Sequence, residues 1–284
     1  MKISLILATL NRDSELDNFL KSLTIQTHKD FELIVIDQNK DNKIDSIISK
    51  YYDQFPINHI KVDFTGVARA RTHGIQFATS NIIAFPDDDC EYETDVLEGI
   101  NNEFNKDPKL GILAVGCYEF NTDKFSIGNN SKHETYFNKF NILGFEPTQI
   151  FNTNNISKDN FYFDERFGIG AKYKSTESIE LVYRLLKTPT KAFFTPKIKV
   201  YHANKEAKDY TAKRVYDYSI GIGAFIRKNA NQKDFGIIYY IIRKMFIAPI
   251  LKLIYNLIRF NKFNLKYSYN NLLGIWNGFL IYED

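Results

Sequence analysis

Five strand-like segments, most of them apolar runs, separated by segments with helical periodicity, fill the first 117 residues and leave few folds open to this chain. The five are residues 2–8, 31–36, 57–63, 81–85 and 111–117. Between the first two, Leu16, Phe19, Leu20 and Leu23 repeat at helical spacing within 13–26. Ile44, Ile47, Ile48, Tyr51 and Phe55 do the same within 42–55. Residues 67–78 and 94–104 complete the helical set. A strand–helix alternation of this kind predicts an α/β domain with a mainly parallel, doubly wound, Rossmann-like sheet. In such sheets ligands bind beyond the carboxyl ends of the strands. Asn11-Arg12, Asp37 and Asp87-Asp88-Asp89 all fall at such ends.

From 118 to 160 the periodicity is lost, which reads as a loop region with one hairpin. Helical spacing returns over 176–186, two short strands follow at 192–195 and 198–202, and the chain beyond 205 is mostly helical. The expected division is therefore a domain of residues 1–205 and a helical extension of 206–284. The composition, 44% hydrophobic and 25% charged, is that of a globular protein. Cys90 and Cys117 make neither a disulfide framework nor a zinc set. The apolar run at the start stops at Thr9 and meets Asn11-Arg12-Asp13 at once. That is too short for the core of a secretory signal, so a cytoplasmic location is expected.

Adjacent carboxylates at a strand tip repel one another. An acidic triplet such as Asp87-Asp88-Asp89 is either a solvated turn or a site for a hard divalent cation. The combination of segments is more specific. SLILATLNR (4–12), FELIVIDQN (31–39), GVARARTHGI (66–75), AFPDDDC (84–90) and DERFGIGAKYKSTESIELVYRLL (164–186) occur in order. Together they resemble glycosyltransferase family 2, with its GT-A fold, over roughly the first 205 residues.

The resemblance implies inverting transfer of a sugar from a nucleotide-diphosphate-sugar to an acceptor hydroxyl, aided by Mn²⁺ or Mg²⁺, in surface polysaccharide or glycan biosynthesis. It implies that Thr9, Asn11 and Arg12 wrap the nucleotide, Asp37 receives the base, and Arg71 lies near the diphosphate. Asp87 and Asp89 match the outer positions of the metal-binding DXD motif, with Asp88 facing the sugar or ribose. His202 matches a histidine that completes the metal site, although a lone histidine also serves structure alone. His28, His59, His73 and His133 read as structural or exposed. Where the family has Glu-Asp, with Asp as general base, this chain has Glu177-Ser178. Glu177 is then the expected base, with Glu180 second, against a purely capping role for Glu177. Loss of the aspartate leaves open a second reading, an inactive sugar-nucleotide binder or assembly partner.

The last part of the chain is unlike the rest. Residues 205–284 carry 13 Lys/Arg against 6 Asp/Glu, and 235–282 hold six cations and no acid among bulky apolar residues. Nucleic-acid binding needs denser Lys/Arg patches with fewer Ile, Leu and Phe between them, so no nucleic acid is expected. Residues 235–260 are long enough to span a bilayer, but Arg243, Lys244 and Lys252 interrupt them and Pro249 kinks them. A helix lying on the inner face of the cell membrane fits better, and a second copy of the chain is the other partner such a surface admits. Residues 272–282 also resemble the ends of membrane-associated family members, which implies a glycan or lipid-linked acceptor.

Overall fold

In the computed structural model, which describes residues 1–202 and 211–284, the alternation becomes β1 (Ile3–Thr9), α1 (Ser14–Thr24), β2 (Phe31–Asp37), α2 (Asp45–Ile48), β3 (Ile57–Lys61), α3 (Val67–Ile75) and β4 (Ile82–Ala84). β3, β2, β1 and β4 lie side by side and parallel, with Ile3 opposite both Phe31 and Ile82. β1 and β2 are buried almost throughout, as strands covered on both faces must be. The helix expected over 42–55 is shorter. No side chain caps its start, and after α2 a 3₁₀ turn at Ser49–Tyr51 takes over. Phe55 then reaches Phe31, ring centroids 5.3 Å apart.

The chain continues through β5 (Cys90–Tyr92), α4 (Val96–Lys106), β6 (Leu110–Tyr118), β7 (Thr135–Tyr136), β8 (Gln149–Asn152), α5 (Glu177–Leu185) and β9 (Lys191–His202). The strand order is β3-β2-β1-β4-β8-β6-β9-β5, with β7 also on β9. β8 enters antiparallel between β4 and β6, so the stretch read as loop supplies a buried central strand. Its four residues, QIFN, are too few to show a period. The two strands expected around 192–202 are one, β9. Its pairing with β6 slips between Val115 and Gly116, next to Pro196, which has no N–H to donate.

Two compact units emerge. Met1–Phe163 with Leu181–Asn204 form the sheet unit, and Asp164–Glu180 with Lys205–Asp284 form the second. The boundary expected at 205/206 lies outside the described residues. In the second unit, residues 164–180 cluster with α6 (Ala212–Asn231), α7 (Ile237–Tyr240), a π-helical turn (Ile241–Ile247), α8 (Ala248–Ile258) and α9 (Lys262–Ile281). The π turn stops two residues before Pro249, whose ring would clash with a regular preceding turn. Among the described residues, no helix is long and apolar enough to cross a membrane.

α6 and α9 pack through glycine. A Cβ at Gly223 would fall 1.9 Å from the Ile275 carbonyl oxygen, and one at Gly278 would fall 2.0 Å from that of Ile220. Backbone cannot yield as a side-chain tip can. Gly278→Val is therefore expected to destabilise the second unit by about 3 kcal/mol, read as a shifted denaturant midpoint.

Candidate active site

Parallel pairing sets Thr9 beside Asp37 and brings the ends of β2, β1 and β4 to one edge of the sheet. The acid triplet leaves β4 through Phe85 and Pro86. Thr9 Oγ1 donates to Asp88 Oδ2 at 2.8 Å. Arg12 Nη2 donates to Asp89 Oδ2 at 3.1 Å, and its Nε lies 3.8 Å from Asp88 Oδ1. Arg71, on α3 and only 1% exposed, donates through Nη2 to Asp87 Oδ1 at 2.5 Å. Its Nη1 pairs with Glu146, at the 3₁₀ turn Glu146–Thr148 that leads into β8. Arg71 thus meets the site through Asp87 rather than by presenting its guanidinium to solvent.

The electrostatics favour an added cation. Burial, reinforced by the charges of Asp87 and Asp89, pushes the Asp88 carboxyl up to about 7, against the opposing pull of Thr9 and Arg12. Asp87 is also raised, by desolvation first and by Asp89, even with Arg71 beside it.

Asp37 is fully buried and charged. Burial alone would raise its pKa, but His59 and Asn39 outweigh burial and hold it below the usual range. Asn39 donates to Oδ1 from its backbone N–H (2.8 Å) and side-chain amide (2.7 Å), and His59 Nε2 faces Oδ2 at 3.0 Å. A carboxylate has about four acceptor sites, and three of them are taken here. Asn11 joins the same network. It adopts a left-handed backbone, φ 57°, and its N–H donates to Asn39 Oδ1 at 2.8 Å. Thr72, on α3, accepts from the Phe163 N–H at 2.9 Å, tying that helix to the end of the sheet unit.

For the divalent cation that the fold implies, the donor set fits. Ligand atoms of Asp87, Asp89, Cys90 and His202 all lie within 4.8 Å of one another. His202, which closes β9, has Nε2 3.3 Å from Asp89 Oδ1. Cys90 is the odd member. Burial, then the charges of Asp87 and Asp89, raise its thiol well above the ordinary range, and a neutral thiol is a poor partner for a hard ion. Two carboxylates and an imidazole remain. Asp37, Asp45 and His59 form a second such group, already closed by the hydrogen bonds of Asp37.

In the second unit, Glu177 sits half-buried in the first turn of α5, after Lys174 (φ 30°) and Thr176 (φ 79°). Glu180 is 2% exposed and accepts from Lys228 Nζ at 2.6 Å. Lys228, 6% exposed, also donates to Asp164 at 2.8 Å. Asp164 further binds Arg166. Despite its burial, these bonds hold its carboxyl far below the usual range.

Sequence reasoning missed Glu146, His59 and Lys228. Glu146 left one faint trace, a lone carboxylate within LGFEPTQIF. His59 and Lys228 left none, because their partners Asp37 and Glu180 lie 22 and 48 residues away.

A parallel α/β half-sheet, continued by mixed strands and carrying an acid triplet at the β4 tip, defines the GT-A class of glycosyltransferase. The chain belongs to glycosyl transferase family 2, whose model matches residues 4–164. The glucosyl-dolichyl phosphate glucuronosyltransferase of Haloferax volcanii is 24% identical over 119 residues, 41% of this chain and 37% of that protein. The matched stretches span only 16 to 37% of the curated relatives' own lengths.

Among solved structures, Pyrobaculum calidifontis mannosyltransferase PcManGT in complex with GDP-Man and Mn²⁺ superposes with a TM-score of 0.65. That match has 11% identity and covers 98% of this chain and 86% of that one. S. aureus TarS 1–349 in complex with UDP-GlcNAc gives 0.63 at 14% identity, over 97% of this chain and 90% of that one. At these identities the likeness establishes the fold.

Proposed function

We propose that this chain is an inverting glycosyltransferase that moves a sugar from a nucleoside-diphosphate donor to a hydroxyl of a glycan or lipid-linked acceptor, in surface polysaccharide assembly. The observation that carries the reading is the gathering of three adjacent carboxylates at the β4 tip, with Arg12, Arg71 and His202 around it. The donors seen with PcManGT and TarS, a GDP-sugar and a UDP-sugar, support the donor class.

Asp87 and Asp89, with His202, hold Mn²⁺ or Mg²⁺. The ion, when bound, supplies positive charge against the donor's diphosphate. Arg71 fixes the Asp87 rotamer from below, and Arg12 steers Asp89. Asp88, gripped by Thr9, turns its other oxygen toward the sugar or ribose. Asp37 and Asn11, joined through Asn39, receive the base. Glu177 takes the proton of the acceptor hydroxyl as its oxygen attacks the anomeric carbon and the nucleoside diphosphate leaves. Glu180, expected as the second candidate, is buried and engaged with Lys228, whereas Glu177 is only half-buried.

Purified protein is expected to gain about 2.7 kcal/mol of stability with a nucleotide-sugar at 100 times its dissociation constant. That gain should appear only when Mn²⁺ or Mg²⁺ is present. Glu177→Gln should keep the gain and lower transfer by ~10²–10⁴-fold; an unchanged rate removes Glu177 from the mechanism. Ser178 in place of the acid favours one other reading. If the wild type binds donor with metal yet neither transfers nor hydrolyses it, the chain is a binding partner that kept the fold.

A further inference from the structure

One helix after Phe235, α8, has its polarity reversed. α8 touches its neighbours through a narrow stripe containing Pro249 and Asn256, and Met245 precedes it on the π turn. Within that stripe the Asn256 amide donates to Ser268 Oγ of α9 at 2.9 Å. A polar contact lies inside, and the apolar side chains lie outside. Ile250, Leu251, Ile254, Leu257 and Ile258 are all exposed, Leu251 by 61% and Ile258 by 70%. At 3.6 residues per turn these five share one arc of roughly 120°. Phe246 and Ile247 extend the exposed apolar surface toward α7. Lys252 and Arg259, both exposed, lie together about 80–100° beyond the arc's edge, two turns apart along the helix.

An apolar surface of this kind marks an interface, and the charges decide which. Arg243, Lys244, Lys252 and Arg259 lie in or beside it, and residues 235–282 hold no acid. A twofold contact of this surface with a second copy would set cation against cation, because such an interface repeats one patch on both sides. Spanning a bilayer is disfavoured by the same cations. An anionic bilayer surface satisfies both features, receiving the apolar arc among its acyl chains and the cations at its head groups.

We propose that α7, the π turn and α8 form a monotopic docking face for a membrane containing anionic lipid, independent of whether the sheet unit transfers sugar. The test is flotation of the full chain with phosphatidylcholine vesicles, with and without phosphatidylglycerol. Wild type floats with the anionic vesicles only and is released by high salt. Lys252→Glu with Arg259→Glu weakens binding by about thirtyfold or more, from the contribution of each basic residue near such a surface. Leu251→Asp with Ile258→Asp abolishes binding at an unchanged melting temperature, since both side chains are exposed. Three results overturn the proposal: no flotation of wild type, equal flotation with neutral vesicles, or a wild-type dimer that Leu251→Asp dissociates while vesicles go unbound. The last would assign the face to a second copy.

Discussion

Asp89→Ala is expected to remove the metal-dependent part of donor binding and to lower sugar transfer by ~10²–10³-fold, the usual toll for losing one preorganised electrostatic partner of a developing charge. The effect is large because Asp89 joins three parts of the site. It accepts from Arg12, faces His202 at 3.3 Å, and shares the ligand cluster with Asp87. Its loss leaves an imidazole and one carboxylate for the ion. Folding should suffer little, because removing Asp89 relieves repulsion on Asp87 and Asp88. Two measurements separate these effects: isothermal titration of Mn²⁺ and nucleotide-sugar, and a thermal melt without ligand. Wild-type metal affinity in the variant would take Asp89 out of the ligand set.

Arg71→Met has the opposite profile. The guanidinium is almost fully buried and faces two carboxylates, Asp87 and Glu146, from separate parts of the chain. Methionine fills much of the space but leaves both carboxylates without their buried cation, a situation that costs about 3–5 kcal/mol. Against a typical domain stability of 5–15 kcal/mol, much of the fold's margin goes. The expected observation is a markedly lower urea midpoint. Adding Glu146→Gln to the variant should restore part of the loss, because one of the stranded charges is gone. A double variant no more stable than Arg71→Met alone would show that Glu146 is not the partner that matters.

The sequence displayed one half of the sheet well. β1, β2 and β4 were legible because each is buried on both faces and so carries an unbroken apolar run, and β3, at the sheet edge, by its place between two helical segments. Thr9, Arg12 and Asp87 to Asp89 were equally visible, since strand ends are where such folds gather ligands. The other half was hidden for identifiable reasons. β8 is four residues long and lies in a segment rich in Asn and Phe. β9 looked like two strands because Pro196 interrupts its apolar pattern. The helix over 42–55 obeyed the correct period, yet Tyr51 ends a 3₁₀ turn and Phe55, beyond it, packs on Phe31. Neither the glycine packing of α6 on α9 nor the Lys228 ion pairs had a local trace. Each requires knowing which distant helices meet.

The buried meeting of Lys228 with Asp164 and Glu180 has a consequence for how such chains diverge. Lys228 is shared by two anions on different segments, Asp164 also holding Arg166, so the three positions are coupled. A relative that replaces the lysine by an apolar residue should also have surrendered at least one of the acids. These positions are expected to vary as a correlated set, and the pairing should be readable from an alignment of many relatives before any of their structures is known.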